Sequence, residues 1–273
     1  SFDSKTESGI AKGNVEIISK KDKVILNGKI GIRDGMKGFT KIFGNAILRN
    51  GQEKDTLYLR ADSLFAYDDT SPKPSTDTSK QEKKMEKMIA KGNVKIFRVD
   101  LQSKCDSLFY NLKDSSIHFF RKPLLWNTGN QLEADTIHVY LKNNKINEMY
   151  LRSRSFVISK DTATNFNQVK GRKISAFFDK KAQLEKIAVE GNGESIYFAL
   201  DDQNKLIGIN RVECGKMDLK FAENKVSRIN FIGKPDGKLV PPVELTVGQN
   251  QLEGFNWREK EKPTKEEILK REL

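Results

Sequence analysis

Cysteine and histidine are nearly missing from this chain: it has two of each in 273 residues, Cys105, Cys214, His118 and His138. Two cysteines do not make a disulfide framework for a chain of this length. Neither has a histidine beside it, so a reactive thiol is disfavoured, and a His/Cys metal site lacks ligands at usable spacing. No apolar run approaches the ~18–20 residues that cross a bilayer as a helix. The opening Ser1-Phe2-Asp3-Ser4-Lys5 is polar and is no signal peptide, so the sequence reads as a mature product or an excised piece. No glycine-rich phosphate loop leads into a helix, and no Ser-His-Asp arrangement is present. No cofactor is expected, and no enzyme.

What is present points to sheet. Hydrophobic residues make up 37% and charged residues 32%, and the 16 phenylalanines are too many for a disordered chain. Moderate hydrophobicity with clear alternation suits thin sheets, each with one wet face. The formal charge of +12 favours anionic partners. A solvated exterior accounts for it equally well, because the lysines are scattered over turns and strand exteriors.

The chain repeats itself. Ala11-Lys12-Gly13-Asn14-Val15 returns as Ala90-Lys91-Gly92-Asn93-Val94, and Gly44-Asn45-Ala46 echoes it. A second phrase is a small residue, Asp, a hydroxyl residue and an aliphatic: Ala61-Asp62-Ser63-Leu64, Cys105-Asp106-Ser107-Leu108 and Ala134-Asp135-Thr136-Ile137. Both cysteines occupy its small-residue slot, as Gly171 does, so they read as two separate, reduced, packed thiols. Repetition at tens of residues means a structure built by stacking.

The unit is a hairpin. Aligned first strands bring Leu64, Leu108, Ile137, Ile174 and Met217 together, then Ala66, Tyr110, Val139, Ala176 and Leu219. A period of two predicts one buried face. Polar turns follow at 111–115, 142–145, 179–183, 201–205 and 222–225, rich in Asp, Asn and Lys. The return strands read aliphatic-x-x-aliphatic-x-aliphatic, as in Ile146-Met149-Leu151, Leu184-Ile187-Val189 and Val226-Ile229-Phe231. A step of three inside an alternation of two predicts a bulge at the same place in each copy. The phrase recurs 22 residues on, from Leu184 to Leu206, then 20 on, to Val226. That is too short for strand–helix–strand units, and the tight polar turns favour antiparallel pairing over a parallel β-helix. Residues 68–84 read as an inserted loop. Pro263 and the acidic turn after it predict a short helix, and Phe255-Asn256-Trp257 reads as an apolar plug folded back onto the last strand.

One hairpin cannot fold alone, so the expected fold is all-β: stacked antiparallel hairpins over residues 1–258 whose apolar faces meet as two sheets, with a tail at 259–273. The recurrent Ala-x-Gly-Asn-Val and Ala-Asp-Ser/Thr-aliphatic phrases, in order, resemble the OstA-like proteins, the lipopolysaccharide-transport periplasmic family. The Asn/Asp-Lys turns and the closing Phe255-Asn256-Trp257 resemble the versions in Bacteroidetes-type bacteria. The likeness covers nearly the whole chain outside 68–84. The last copies depart from it, with Arg172-Lys173 and Gly215-Lys216 in place of the Asp-hydroxyl pair.

The resemblance implies a jelly-roll or V-shaped solenoid in the periplasm, lipopolysaccharide carried by its acyl chains between the sheets, and like β-jellyroll modules joined edge to edge towards the outer membrane. The candidate lipid-lining residues are Leu108, Tyr110, Phe119, Ile137, Val139 and Met149; the candidate phosphate contacts are Arg121, Lys122, Arg152 and Arg154. A closed core and ordinary solvated charges are the plain alternatives for these residues. Asp62, Asp106 and Asp135 invite a carboxylate pair of the kind that hydrolyses glycosides. One such residue per copy, in one slot, fits a structural ladder better. Two other functions remain: a scaffold with a sealed core, and a polyanion binder. Nucleic acid is not the expected partner.

Overall fold

A computed structural model describes residues 1–19, 23–51, 56–69, 85–127, 129–143, 145–161, 165–222, 225–245 and 248–270. Of the inserted loop expected at 68–84, residues 70–84 lie outside these. The chain forms two compact units, residues 1–121 with 263–273, and residues 122–262.

The first unit is an antiparallel meander: β1 (Phe2–Asp3), β2 (Ser8–Ser19), β3 (Val24–Asp34), β4 (Phe39–Asn50), β5 (Leu57–Asp68), β6 (Met85–Arg98), β7 (Leu101–Asn111) and β8 (Ser116–Phe120), each paired with the next. The short helix α1 (Lys265–Leu269) belongs to this unit. Thr264 caps it by accepting a hydrogen bond from the Glu267 N–H, as a hydroxyl at the first turn should. Ile268 is fully buried, and Arg60 of β5 donates to the carbonyl of Lys270 at 2.7 Å.

The second unit holds β9 (Leu124–Asn127), β10 (Asn130–Glu133), β11 (Thr136–Lys142), β12 (Lys145–Lys160), β13 (Phe166–Phe178), β14 (Leu184–Leu200), β15 (Leu206–Ala222), β16 (Lys225–Ile232) and β17 (Asp236–Val240). The long strands β12 to β15 pair in sequence. At one side β10 and β11 share β12 between them; at the other β16 and β17 share β15. The pairing is antiparallel throughout, as the tight turns require. Asp179 and Asp201 close equivalent turns, each accepting two backbone N–H groups through Oδ1.

The two repeated phrases are the two sides of one corner. On β4, β6, β12 and β14, two residues leave the ladder: Gly44-Asn45, Gly92-Asn93, Ser153-Arg154 and Gly191-Asn192. All eight have positive φ, between 50° and 77° apart from Asn93 at 49°, which is the conformation glycine and asparagine tolerate best. Opposite each pair a single residue is left over, in order Asp62, Asp106, Arg172 and Gly215. This two-against-one arrangement is a bulge, and a bulge bends the strand.

The bend reconciles the sequence with a single interior. Along β5 the buried residues are Leu59 and Ala61, then Leu64 and Ala66. A flat strand would turn the second pair to the opposite face, since side chains alternate. The leftover Asp62 at the corner absorbs the odd step, and both halves face inward. Strand β15 repeats this with Val212 and Cys214, then Met217 and Leu219. The residue before the corner is small because the halves meet there. A Cβ built on Gly171 would lie 2.5 Å from Val189 Cγ1.

The second series of bulges falls where the aliphatic-x-x-aliphatic step predicts it. Asn147, Glu185, Ile207 and Ser227 are each passed over in the ladder. The aromatic plug is found, but in another place. Phe255 and Trp257 pack on Phe166 of β13, with ring centres 5.6 and 5.1 Å away, instead of on the last strand. Leu252 is the deepest part of the segment, in a cluster with Phe156, Ile158, Ile196, Phe198 and Ile209. Those side chains lie on the face of β12–β15 turned away from the Val212 and Cys214 side. The apolar surface needing cover is there, and β17, with Leu239 56% exposed, offers little to pack on.

Candidate functional site

The inward residues proposed to line a lipid slot occupy the interior of their units. In the first unit Leu108 pairs with Phe119 across β7 and β8, and Tyr110 with Ile117. Leu108 is 2% exposed and Phe119 0%. Tyr110 is half-buried, one step nearer the strand end. Burial raises its phenol pKa, and the Arg98 guanidinium pulls in the other direction. Arg98 sits in the other half of the bent sheet, beyond the corner of β6. In the second unit Val139 pairs with Met149 and Ile137 with Leu151, all of them between 0 and 1% exposed. The third inward positions, Leu112, Leu141, Phe178 and Phe221, are half-buried. The interior is tight at the corner and loosens towards the strand ends.

The candidate cations fall on the corners. Arg121 and Lys122 form a left-handed pair, Arg121 being 77% exposed and 3.3 Å from the Asp106 carboxylate. Lys122 is exposed, and its backbone N–H donates to the carbonyl of Asp135. Arg154 is 71% exposed and donates through Nε to Asp135 at 2.9 Å. Arg152 lies 5.3 Å over the Tyr150 ring. Exposed pairs of this kind contribute little to stability, so these guanidinium groups can trade one carboxylate for another anion cheaply.

The aspartates read as a structural ladder take the corner positions. Asp62 accepts two hydrogen bonds from the Asn93 amide, at 3.1 and 3.2 Å. Asp106 and Asp135 hold Arg121 and Arg154. Each carboxylate thus ties down the side chain of a residue in the left-handed pair facing it or following it. Among the described residues no group of three His, Cys, Asp or Glu side chains could hold a metal ion. The thiols are separate and free. Burial, aided by the Asp106 carboxylate, pushes Cys105 up to about 12.

Sequence reasoning missed two features. One is a glutamine clamp. Gln131 donates to the carbonyl of Asn256 and accepts from the N–H of Arg258; Gln168 does the same with Asn250 and Leu252. Each amide reads residues i and i+2 of the C-terminal segment as a neighbouring strand would. The only signal was a pair of glutamines in apolar strands. The other is the outer side of β4–β8 in the first unit, where aromatic rings and lysines alternate with the buried aliphatics. The outward register of those strands carries this signal, and attention to the inward register hides it. Comparison with models of known protein families finds no match for the chain, and comparison with curated proteins finds none either.

Proposed function

We propose that the chain is a periplasmic lipopolysaccharide-binding module of outer-membrane biogenesis, holding acyl chains between the two halves of its bent sheets and joining like modules at strand edges. The observation that carries this reading is the corner. It turns both halves of consecutive strands inward, so each unit has an apolar interior with a half-buried rim rather than one greasy face. An acyl chain entering at the rim gains about 0.8 kcal/mol per buried methylene. Arg121 and Arg154 are exposed on the corners, away from that rim, where they suit phosphates held outside the interior. Ile232 and Leu239, about half exposed on the terminal strands β16 and β17, suit contact with a further module.

A sealed scaffold is the second reading, favoured by the near-zero exposure of Phe119, Ile137 and Val139. One experiment separates them. Lipids retained after mild purification are identified by mass spectrometry, with a photo-crosslinking residue at Tyr110 and, as an outward control, at Phe177 of β13. Lipopolysaccharide crosslinked from Tyr110 and not from Phe177 supports the slot. Crosslinks from Phe177 alone overturn it, and neither lipid nor crosslink leaves the scaffold.

A further inference from the structure

The outward side chains of β4–β8 form a regular block. The register aligns Phe39 with Tyr67, Lys87 and Asn111, and then Lys41 with Phe65, Ile89, Phe109 and His118. A third row aligns Phe43 with Ser63, Lys91, Ser107 and Phe120. With strands ~4.8 Å apart and ~3.3 Å of rise per residue, the block covers roughly 19 by 13 Å. It contains no acidic residue.

The lysines lie on the rings. Lys41 Nζ is 4.7 Å from the centre of Phe43 and 5.3 Å from that of Phe65, and Lys91 Nζ is 5.5 Å from Phe65. Lys87 is 5.3 Å over Tyr67. Two ammonium groups therefore share one ring. No described carboxylate pairs with any of the three lysines. Cation–π contact at an exposed site is worth about 0.5–1 kcal/mol, which leaves the ammonium groups available to an anion.

We infer that this outer face binds a phosphorylated saccharide, with Lys41 and Lys91 holding a phosphate above Phe65. Three features select that class. The unpaired lysines, with no acid among them, call for negative charge. The rings are half-buried and tilted, Phe39 at 36° to Phe65 and 47° to Tyr67, making a shallow apolar floor suited to the C–H face of a sugar. Ser63, Ser107 and Asn111 stand between them as uncharged partners for hydroxyl groups. The inference stands on the outer side chains alone and does not depend on a lipid slot.

The test is calorimetric titration of the full chain with deacylated lipopolysaccharide, a phosphorylated oligosaccharide without acyl chains, so the interior is not being probed. The Lys41→Gln/Lys91→Gln double variant should weaken binding at least tenfold, Phe65→Leu severalfold, and the remote Lys12→Gln not at all. Circular dichroism checks that the variants are folded, and the two lysine changes alone suffice if Phe65→Leu is not. Removing the phosphates from the oligosaccharide should abolish binding. Equal binding of the dephosphorylated form overturns the inference, as does indifference to the lysine variants. So does tighter binding, lost in the same variants, of phosphatidylglycerol vesicles or of a single-stranded oligothymidylate.

Discussion

Replacing Gly92 by alanine tests the corner directly. Gly92 has φ of +77°, and a Cβ there would lie 2.1 Å from Asp62 Oδ2 and 2.7 Å from its Cγ. Two costs follow. The left-handed backbone costs an alanine roughly 1–2 kcal/mol. The methyl also has to push away the Asp62 carboxylate, which then gives up its two hydrogen bonds from Asn93. That contact is exposed, so its loss adds about 0.5–1.5 kcal/mol. Gly92→Ala should therefore destabilise the first unit by about 1.5–3.5 kcal/mol. In an Asp62→Ala background the carboxylate contacts are gone, a tight 3.0 Å approach to the Cβ at position 62 remains, and the cost falls towards the backbone's roughly 1–2 kcal/mol. A double-mutant cycle by urea unfolding, followed by far-ultraviolet circular dichroism and by hydrogen exchange in β5 and β6, gives the coupling. A coupling indistinguishable from zero, or a Gly92→Ala cost below about 0.5 kcal/mol, would refute the view that Asp62 and the Gly-Asn pair are one structural device.

Phe119→Ala should cost about 3–5 kcal/mol, as for a large ring removed from a closed interior, whereas Arg121→Ala should cost under about 1 kcal/mol; equal costs in thermal unfolding would contradict the placement of both. Gln168→Leu strands the buried Leu252 N–H, at roughly 1–3 kcal/mol for a buried group left unsatisfied, gives up the bond to the carbonyl of exposed Asn250, and should speed hydrogen exchange at 250–252 while sparing the first unit. Cys105 should resist alkylation in the folded protein at pH 8 and react once it is unfolded. Its folded thiol is held up to about 12 and an unfolded one ionises near ~8.5, so across that window the folded state retains a proton that the unfolded state has lost. Stability should fall as the pH rises from about 8.5, and the fall should shrink in Cys105→Ala, leaving the share of Cys214, whose thiol burial also raises.

Much of this molecule is legible in its residues. Alternation of Leu64 with Ala66 and of Met217 with Leu219 marks one buried face. The aspartates of the 179–183 and 201–205 turns mark reversals, and the three-residue steps at 146–149 and 184–187 mark bulges. These are local facts, set by the two-residue period of a strand and by the few side chains that a tight turn accepts. For the same reason Gly-Asn and Ala-Asp-Ser could be recognised as recurring phrases, and Asp62 as a ladder position.

What the phrases do was decided by tertiary structure. Gly92-Asn93 belongs to one strand and Asp106 to the next, and only pairing reveals that two residues face one and force a bend. Which face of β12–β15 needs a cover, and that Leu252 and Phe255 supply it, depends on contacts roughly 40 to 100 residues apart that no local period encodes. The same holds for the outer block of the first unit. Phe65 is unremarkable in its own strand, and becomes a platform for two ammonium groups because hydrogen-bond register brings Lys41 and Lys91 alongside it.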